Sequence, residues 1–215
     1  IGRCSSMVTL TGPPGVGAFD EALIDIAGAH EVSLANLSVT PKTIGMTASL
    51  GAKVTLERVR LEAASDKGIV LTGAGTSLSA SRLKVSDTVN IWDYSGYGIE
   101  VLSGAELTLT ESALIDNTTS GVLLQGVGTE AFIREVSVIG TRPEFDGWSG
   151  VGVWAQYGAG VTLEKSVILH SHASGLNLVD APSAATLSEV YIAHTRSGSQ
   201  DYINGTGVEL SGGAI

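Results

Sequence analysis

The chain has little cysteine, proline, aromatic content or charge. Its 215 residues include one cysteine, Cys4, together with 5 prolines, 3 Trp, 5 Tyr and 3 Phe, and 16% of them are charged. A single cysteine excludes an internal disulfide framework and a cysteine-based zinc site. The low proline and charge contents exclude a collagen-like chain and a coiled coil. Because no apolar run approaches the ~18 residues that a membrane-spanning helix needs, no such helix is predicted.

The charge that is present is mostly acidic. Twelve Lys and Arg residues stand against 22 Asp and Glu, which gives a net charge of -10. Such a chain repels a phosphate backbone, so we expect no nucleic-acid partner. The hydrophobic share of 43% supplies a buried core, and 28 glycines favour an all-β chain with many turns.

Two kinds of repeat unit alternate along the sequence. Short units of 23 residues begin at Met46, Ile99 and Val153, and the first of them reads MTASLGAKVTLERVRLEAASDKG. Units of 30, 31 and 32 residues lie between and after them, at 69–98, 122–152 and 176–207. One short and one long unit together repeat every 53 to 55 residues, which is too regular for chance.

Each unit carries three short segments in which apolar residues alternate with others. In the unit that begins at Ile99, these segments lie around Val101, Leu109 and Leu114. A period of two is typical of strands, and three short strands bury a core only when unit stacks on unit. The Leu/Asn signature of the leucine-rich repeat, the main alternative at this length, is missing.

The unit resembles one coil of the right-handed parallel β-helix, the pectate-lyase-like architecture of bacterial secreted and surface repeat proteins. The fold class we expect is therefore all-β: a single-stranded parallel β-helix with three short strands per coil. We expect residues 23–215 to form the β-helix and residues 1–22 to form a partial coil and an entry segment. No cap is evident at either end, so we expect a stretch of a longer solenoid or end-to-end self-association.

Aligning the units predicts which side chains stack on one another. The alignment uses the last inward residue of each second strand: Leu56, Ala80, Leu109, Ile133, Leu163 and Leu187. Eight positions later most residues are small and polar, which predicts a structural hydrogen-bonded ladder at a corner. The ladder consists of Thr88, Asn117, Thr141, Ser171 and Thr195.

Seven positions after the alignment residue, ionisable side chains are predicted to come together. Asp87 and Asp116 belong to adjacent coils, ~4.8 Å apart along the rod, and either share a cation such as Ca²⁺ or bond turn amides. His170 and His194 follow in the same column. With His172 they either gather as metal ligands or stay solvated, because neither group shows a full ligand set.

The long units share a loop pattern of Asp, then Ser or Asn, then Gly-x-Gly. It reads DYSGYG at 93–98, DGWSGVG at 146–152 and DYINGTG at 201–207. Asp93, Asp146 and Asp201 either brace their own loops or bind Ca²⁺ between loops. The same loops hold most of the aromatic residues, which either pack on one another or present their faces to sugar rings. These residues are Trp92, Tyr94, Tyr97, Phe145, Trp148 and Tyr202.

A second predicted binding surface is the outward row of the first strand. The row carries Thr47, Val70, Glu100, Leu123, Trp154, Asn177 and Glu209. In β-helix polysaccharide enzymes this region forms the substrate groove, and the resemblance implies Trp154 and Gln156 as contact residues.

No enzyme motif matches. The triplet Asp-Asn-Thr at 116–118 inverts the Asn-Thr-Asp of polygalacturonases, and neither a paired Asp-Asp nor a Gly-His-Gly follows. A serine hydrolase is excluded because no G-x-S-x-G elbow occurs. We therefore predict no catalytic residue and leave the question of enzyme activity open with a preference for none. No cofactor is required, and Ca²⁺ binding is the open alternative described above for the aspartates.

Three functions fit the sequence. The first is a non-catalytic secreted or cell-surface protein that binds extracellular polysaccharide or a surface protein through its long-loop face. The second is a polysaccharide lyase or glycoside hydrolase, and the third is a structural stalk. No basic-then-apolar signal opens the chain, so the expected location requires an export signal outside these residues.

Overall fold

The computed structural model describes the backbone of residues 8–11 and, with their side chains, residues 22–89, 96–144, 147, 149–197 and 205–215. Within these residues the chain forms 21 strands and no helix. In chain order the strands are β1 (Val8–Thr11), β2 (Ala22–Ala27), β3 (Val32–Thr40), β4 (Ile44–Ser49), β5 (Lys53–Glu62), β6 (Lys67–Thr72), β7 (Ser77–Ser81), β8 (Lys84–Ser86), β9 (Tyr97–Leu102), β10 (Glu106–Thr110), β11 (Ala113–Ile115), β12 (Ser120–Gln125), β13 (Glu130–Arg134), β14 (Ser137–Ile139), β15 (Val151–Gln156), β16 (Gly160–Glu164), β17 (Val167–Leu169), β18 (Ser174–Val179), β19 (Ala184–Ser188), β20 (Tyr191–Ala193) and β21 (Thr206–Ser211).

The strands stack into a three-sided rod. Face 1 is a parallel sheet of β2, β4, β6, β9, β12, β15, β18 and β21. The other strands form a second sheet that is folded along a corner. Its face 2 holds β7, β10, β13, β16 and β19, its face 3 holds β1, β8, β11, β14, β17 and β20, and β3 and β5 contribute to both. Each complete coil therefore supplies one strand segment to each face, and the predicted parallel β-helix is confirmed.

The register of the coils is the one that the repeat predicts. Leu56 pairs with Ala80, and Ala80 pairs with Leu109 on the next coil. The pairing continues through Ile133 and Leu163 to Leu187. Residues that are equivalent in the repeat are thus neighbours along the rod.

The corner between faces 2 and 3 differs from the prediction in the first two coils. There β3 and β5 run through the corner as single strands of 9 and 10 residues, whereas two separate strands were expected. One residue in each, Asn36 with φ 55° and Arg58 with φ 54°, adopts a left-handed conformation that turns the strand. The same position is left-handed in later coils, at Arg82, Glu111, Glu135, Lys165 and Glu189.

Inward rows of apolar side chains form one continuous core. On face 1 the row Met46, Ile69, Ile99, Val122, Val153 and Leu176 is at most 1% exposed. Each such side chain stabilises the fold by about 1.5–3 kcal/mol when it leaves water. No helix in the described ranges is long and apolar enough to cross a membrane.

The two ends of the rod differ. At the first coil β1 pairs with the face 3 half of β3, as Val8 with Leu37. At the last coil apolar side chains are exposed, among them Leu210 at 55% and Tyr191 at 59%. End-to-end association stays a prediction.

Candidate functional site

The outward row of face 1 lies in the predicted register, with each member paired to the next along the rod. The residues in the middle of this row are less exposed than outward residues of a sheet that faces solvent. Leu123 is 2% exposed and Glu100 is 7% exposed, while Trp154 and Asn177 are partly exposed. The centre of this face is therefore a shielded polar site with a tryptophan on its border.

A buried carboxyl group forms the centre of the site. Glu100 lies on β9, and its Oε2 is 3.0 Å from Nζ of Lys67 on β6. Burial raises the pKa of the Glu100 carboxyl, and the Lys67 ammonium opposes that rise. Tyr97 pairs with Lys67 where the two strands begin. Burial, followed by the charges of Glu100, Glu144 and Asp66, raises the pKa of the Tyr97 hydroxyl, which therefore keeps its proton.

Acidification is expected to stabilise the wild-type protein relative to a Glu100→Gln variant. Because the pKa of Glu100 is higher in the folded chain than in the unfolded chain, the folded state binds the extra proton. The stabilising contribution of this group is present below the unfolded pKa, about 4.3, and is lost as the pH rises through the folded pKa. Melting temperatures of both proteins measured from about pH 4 to about pH 8 test this. A difference in melting temperature that is independent of pH, or that favours the wild type more at high pH, would contradict it.

Polar groups with unused hydrogen-bonding capacity lie next to this cluster. Trp154 on β15 pairs with Asn177 on β18. Trp154 Nε1 and Asn177 Oδ1 are both buried and have no hydrogen-bond partner among the described residues. One row further along the strands, Gln156 donates a hydrogen bond from Nε2 to Gln125 Oε1 over 3.1 Å. Three adjacent coils thus present a hydrogen-bond donor on Trp154, an acceptor on Asn177 and the amide pair of Gln125 and Gln156.

Most of the predicted loop residues lie outside the described part of the chain. This holds for the aromatic residues and aspartates of the three Gly-x-Gly loops with the exception of Tyr97. Their predicted roles in sugar and Ca²⁺ binding stay predictions. These residues are Trp92, Asp93, Tyr94, Phe145, Asp146, Trp148, Asp201 and Tyr202.

The predicted Asp87 and Asp116 pair lies at the corner between faces 3 and 1, in the left-handed conformation. Asp87 Oδ1 is 3.4 Å from Nη2 of Arg142. The Arg142 guanidinium also donates to the backbone carbonyl of Asp116, from Nε over 3.0 Å. An arginine side chain therefore already supplies positive charge at this corner.

Two of the three predicted histidines are in contact. The rings of His170 and His194 stack with centroids 5.1 Å apart and an interplanar angle of 17°. Burial, and next the charge of Arg196, lowers the pKa of His172. Within the described ranges, no group of three or more His, Cys, Asp or Glu side chains is placed to hold a metal ion.

The residues of the predicted polar ladder form a column at the same corner. Thr88, Asn117, Thr141 and Ser171 are at most 1% exposed, and Thr195 is partly exposed. Asn117 donates from Nδ2 to the Val85 carbonyl over 3.2 Å and accepts from the Thr88 backbone N–H over 3.3 Å. These bonds join two adjacent coils.

A second ladder, at the corner between faces 1 and 2, was not predicted from the sequence. The hydroxyl of Thr129 donates to the Gln125 carbonyl over 2.9 Å and accepts the Gly104 N–H of the preceding coil over 2.9 Å. Thr76 and Ser183 make the equivalent pairs of bonds. The alternate coils carry buried alanines at this position: Ala52, Ala105 and Ala159. The alternation of alanine with Thr or Ser could have been found in the sequence, because each of the six residues lies four positions before the alignment residue of its own coil.

Comparisons with known proteins agree with this architecture. Over 86% of this chain and 47% of the other, the structure is similar to the periplasmic alginate epimerase AlgG, with a TM-score of 0.60 and 12% identity. It is also similar to the pectate lyase Pel9A over 98% of this chain and 67% of that one, with a TM-score of 0.57 and 11% identity. The chain spans about half the length of the epimerase, and at these identities the likeness is one of fold. No curated protein sequence matches significantly. Residues 67–214 match the family described as the right handed beta helix region, and the chain belongs to that family.

Proposed function

We propose that face 1 binds an extracellular polysaccharide that lies along the rod, and that the protein is secreted or exposed on the cell surface. The observation that carries the proposal is the Trp154 and Asn177 pair, a buried donor and a buried acceptor with no described partner. Leaving a buried polar group unpaired costs about 1–3 kcal/mol, so such groups are expected to pair with a ligand or an ordered water from outside the chain. A sugar hydroxyl both donates and accepts, and the partly exposed indole offers an apolar face to a sugar ring.

The repeat of the site supports an extended ligand. Outward side chains on face 1 recur at every coil, at a spacing of ~4.8 Å, over β4 to β21. A polymer that lies along the rod meets a new set of side chains at each coil, whereas a small ligand meets one. The two similar structures, an alginate epimerase and a pectate lyase by name, support polysaccharide as the ligand class.

A Trp154→Ala variant is expected to bind the polysaccharide at least about tenfold more weakly than the wild type, because tryptophan is among the residues that carry most of the energy of a binding surface. The measurement is isothermal titration against a panel of neutral and acidic polysaccharides. Tyr191→Ala, which removes an aromatic residue 59% exposed on face 3, is the control and should bind as the wild type does. Equal affinity of the wild type and Trp154→Ala would refute binding on face 1.

A second candidate function is polysaccharide modification, and the Glu100 cluster favours it. A buried carboxyl with a raised pKa, beside an ammonium and a phenol, is an arrangement that acid–base catalysis uses. The test is product release from polyuronates and other polysaccharides with the wild type and Glu100→Gln. Enzyme activity is rejected if the wild type releases no product, and a role for Glu100 is rejected if the variant is equally active.

Calcium binding by the loop aspartates Asp93, Asp146 and Asp201 is retained as a proposal. Because a ligand that binds only the folded state raises its stability, Ca²⁺ should raise the melting temperature and EDTA should reverse the effect. No calorimetric heat and no shift in melting temperature would dismiss these sites.

A further inference from the structure

A groove of about 740 Å³ runs beside the corner between faces 2 and 3, away from the face 1 site. Its basic residues come from two adjacent coils. Arg58 and Arg60 lie on β5, Arg82 lies at the corner after β7, and Lys84 begins β8. Glu111 and Glu135 lie at the corner positions of the next two coils and complete the charged lining.

Basic residues are concentrated in this groove. The chain has 12 basic residues and a net charge of -10, yet four of those 12 line this one groove. Arg82 pairs with Glu111 over 3.1 Å, and Lys84 pairs with Glu62 over 2.9 Å. Glu135, the second lining acid, pairs with Arg134 over 3.3 Å, outside the group of four.

The basic side chains are stacked on one another. Arg60 pairs in register with Lys84, and Arg58 and Arg82 hold equivalent left-handed corner positions on the same two coils. Like charges directly opposite each other on paired strands are destabilising. Arg58 forms an ion pair with Glu57 over 2.6 Å and donates a hydrogen bond to Asn36 Oδ1 over 2.7 Å. Arg60, in contrast, is exposed and forms no ion pair with any described residue. Of the four basic lining residues, Arg60 is the one without an ion pair to a described residue, and an anion bound to it would also lie next to Lys84.

The uncharged lining residues indicate which class of anionic ligand fits the groove. Ala113 offers partly exposed apolar surface, and Ser137 offers a partly exposed hydroxyl group. Such a lining suits a sugar ring that carries an acidic group better than a bare ion. A nucleic acid fits poorly, because its densely charged backbone would extend beyond these two coils over a chain with a net charge of -10.

We infer that this groove binds an anionic polysaccharide, whose carboxylate or sulfate groups pair with Arg60 and Lys84. Arginine is suited to the bidentate recognition of such planar or tetrahedral anions. The site is separate from face 1 and does not depend on the function proposed for it. It would give the protein a second contact with an acidic polymer on another side of the rod.

The test compares the wild type with an Arg60→Gln/Lys84→Gln variant in titrations with dextran sulfate, polygalacturonate and neutral dextran. The variant should bind whichever acidic polymer the wild type prefers at least about tenfold more weakly, as expected for the loss of two charge-assisted contacts. The acidic polymer should also raise the melting temperature of the wild type and not that of the variant. Both substituted side chains are on the surface, so the variant should fold.

Two controls separate this groove from the rest of the molecule. Lys165→Gln removes a cation at the same corner position outside the groove and should leave binding unchanged. Tyr191→Ala, which changes an exposed residue of face 3 outside the groove, should also leave binding unchanged. The inference is overturned by unchanged binding of the acidic polymer in the double variant, by a wild type that binds no acidic polymer, or by DNA that binds as tightly as the polysaccharides.

Discussion

Replacing Gly152 with alanine is expected to lower the free energy of unfolding by about 3 kcal/mol or more, the upper range for overpacking in a close-packed core. Gly152 lies on β15, and a Cβ atom there would be 2.4 Å from Ile168 Cγ2 and 2.5 Å from the carbonyl oxygen of Gly175. Gly175 occupies the same position on the next coil. Since that oxygen belongs to the backbone, it moves only if the two coils separate.

The matched control is Gly207→Ala. Gly207 ends the same column, and a Cβ atom there would meet only Ile192 Cγ2, at 4.0 Å. Its free energy of unfolding should change by about 0.5 kcal/mol or less, as for an ordinary surface substitution. Urea unfolding followed by circular dichroism measures both variants. Equal losses in the two would mean that the glycine column is not needed for coils to approach one another.

An Asn117→Ala variant is expected to lose about 2 kcal/mol of stability or more, because it leaves buried polar groups without partners. The side chain is 1% exposed and joins two coils through the Thr88 N–H and the Val85 carbonyl. Its amide oxygen is also 3.0 Å from the Thr88 hydroxyl. The alanine would remove all these bonds and leave a cavity in their place.

Asn177→Ala is the control for Asn117, since it removes the same side chain from face 1. Asn177 Oδ1 has no hydrogen-bond partner in the described part of the chain, so the loss should be smaller, about 0.5 kcal/mol. Melting temperatures and urea midpoints of the two variants provide the measurement. If Asn177→Ala costs as much as Asn117→Ala, the ladder bonds do not contribute the stability assigned to them.

The fold could be predicted from the sequence because the repeat determines the register. Once Leu56, Ala80 and Leu109 are aligned, the positions of all three faces follow, and the strand pairing agrees with them. The left-handed corner could not be predicted, because Arg58 and Glu111 are not residues that favour a positive φ. Stacking on neighbouring coils imposes that conformation on whatever residue occupies the corner.

The candidate site could be predicted only in part. The outward row with Glu100 and Trp154 was identified from alternation, since alternate residues of a strand point to the same face. The pairing of Glu100 with Lys67 was missed, because Lys67 lies one position before a glycine and three before the outward row. The basic groove was also missed, although Arg58 and Arg60 recur as Arg82 and Lys84 at fixed distances from the alignment residue.

Distances between spin labels along face 2 provide the most direct test of the stacked coils. The labels would replace exposed or partly exposed outward residues of one row, Ser33, Thr55, Thr162 and Thr186, in a chain whose Cys4 is replaced by serine. Thr55 and Thr162 are four coil steps apart, Thr55 and Thr186 are five steps apart, and Ser33 and Thr186 are six steps apart. At one strand spacing per coil, the predicted distances are about 19, 24 and 29 Å in the same order. Electron-resonance distances that rise by that spacing would agree with the rod. A pair that departs by more than about one strand spacing, ~4.8 Å, would contradict it.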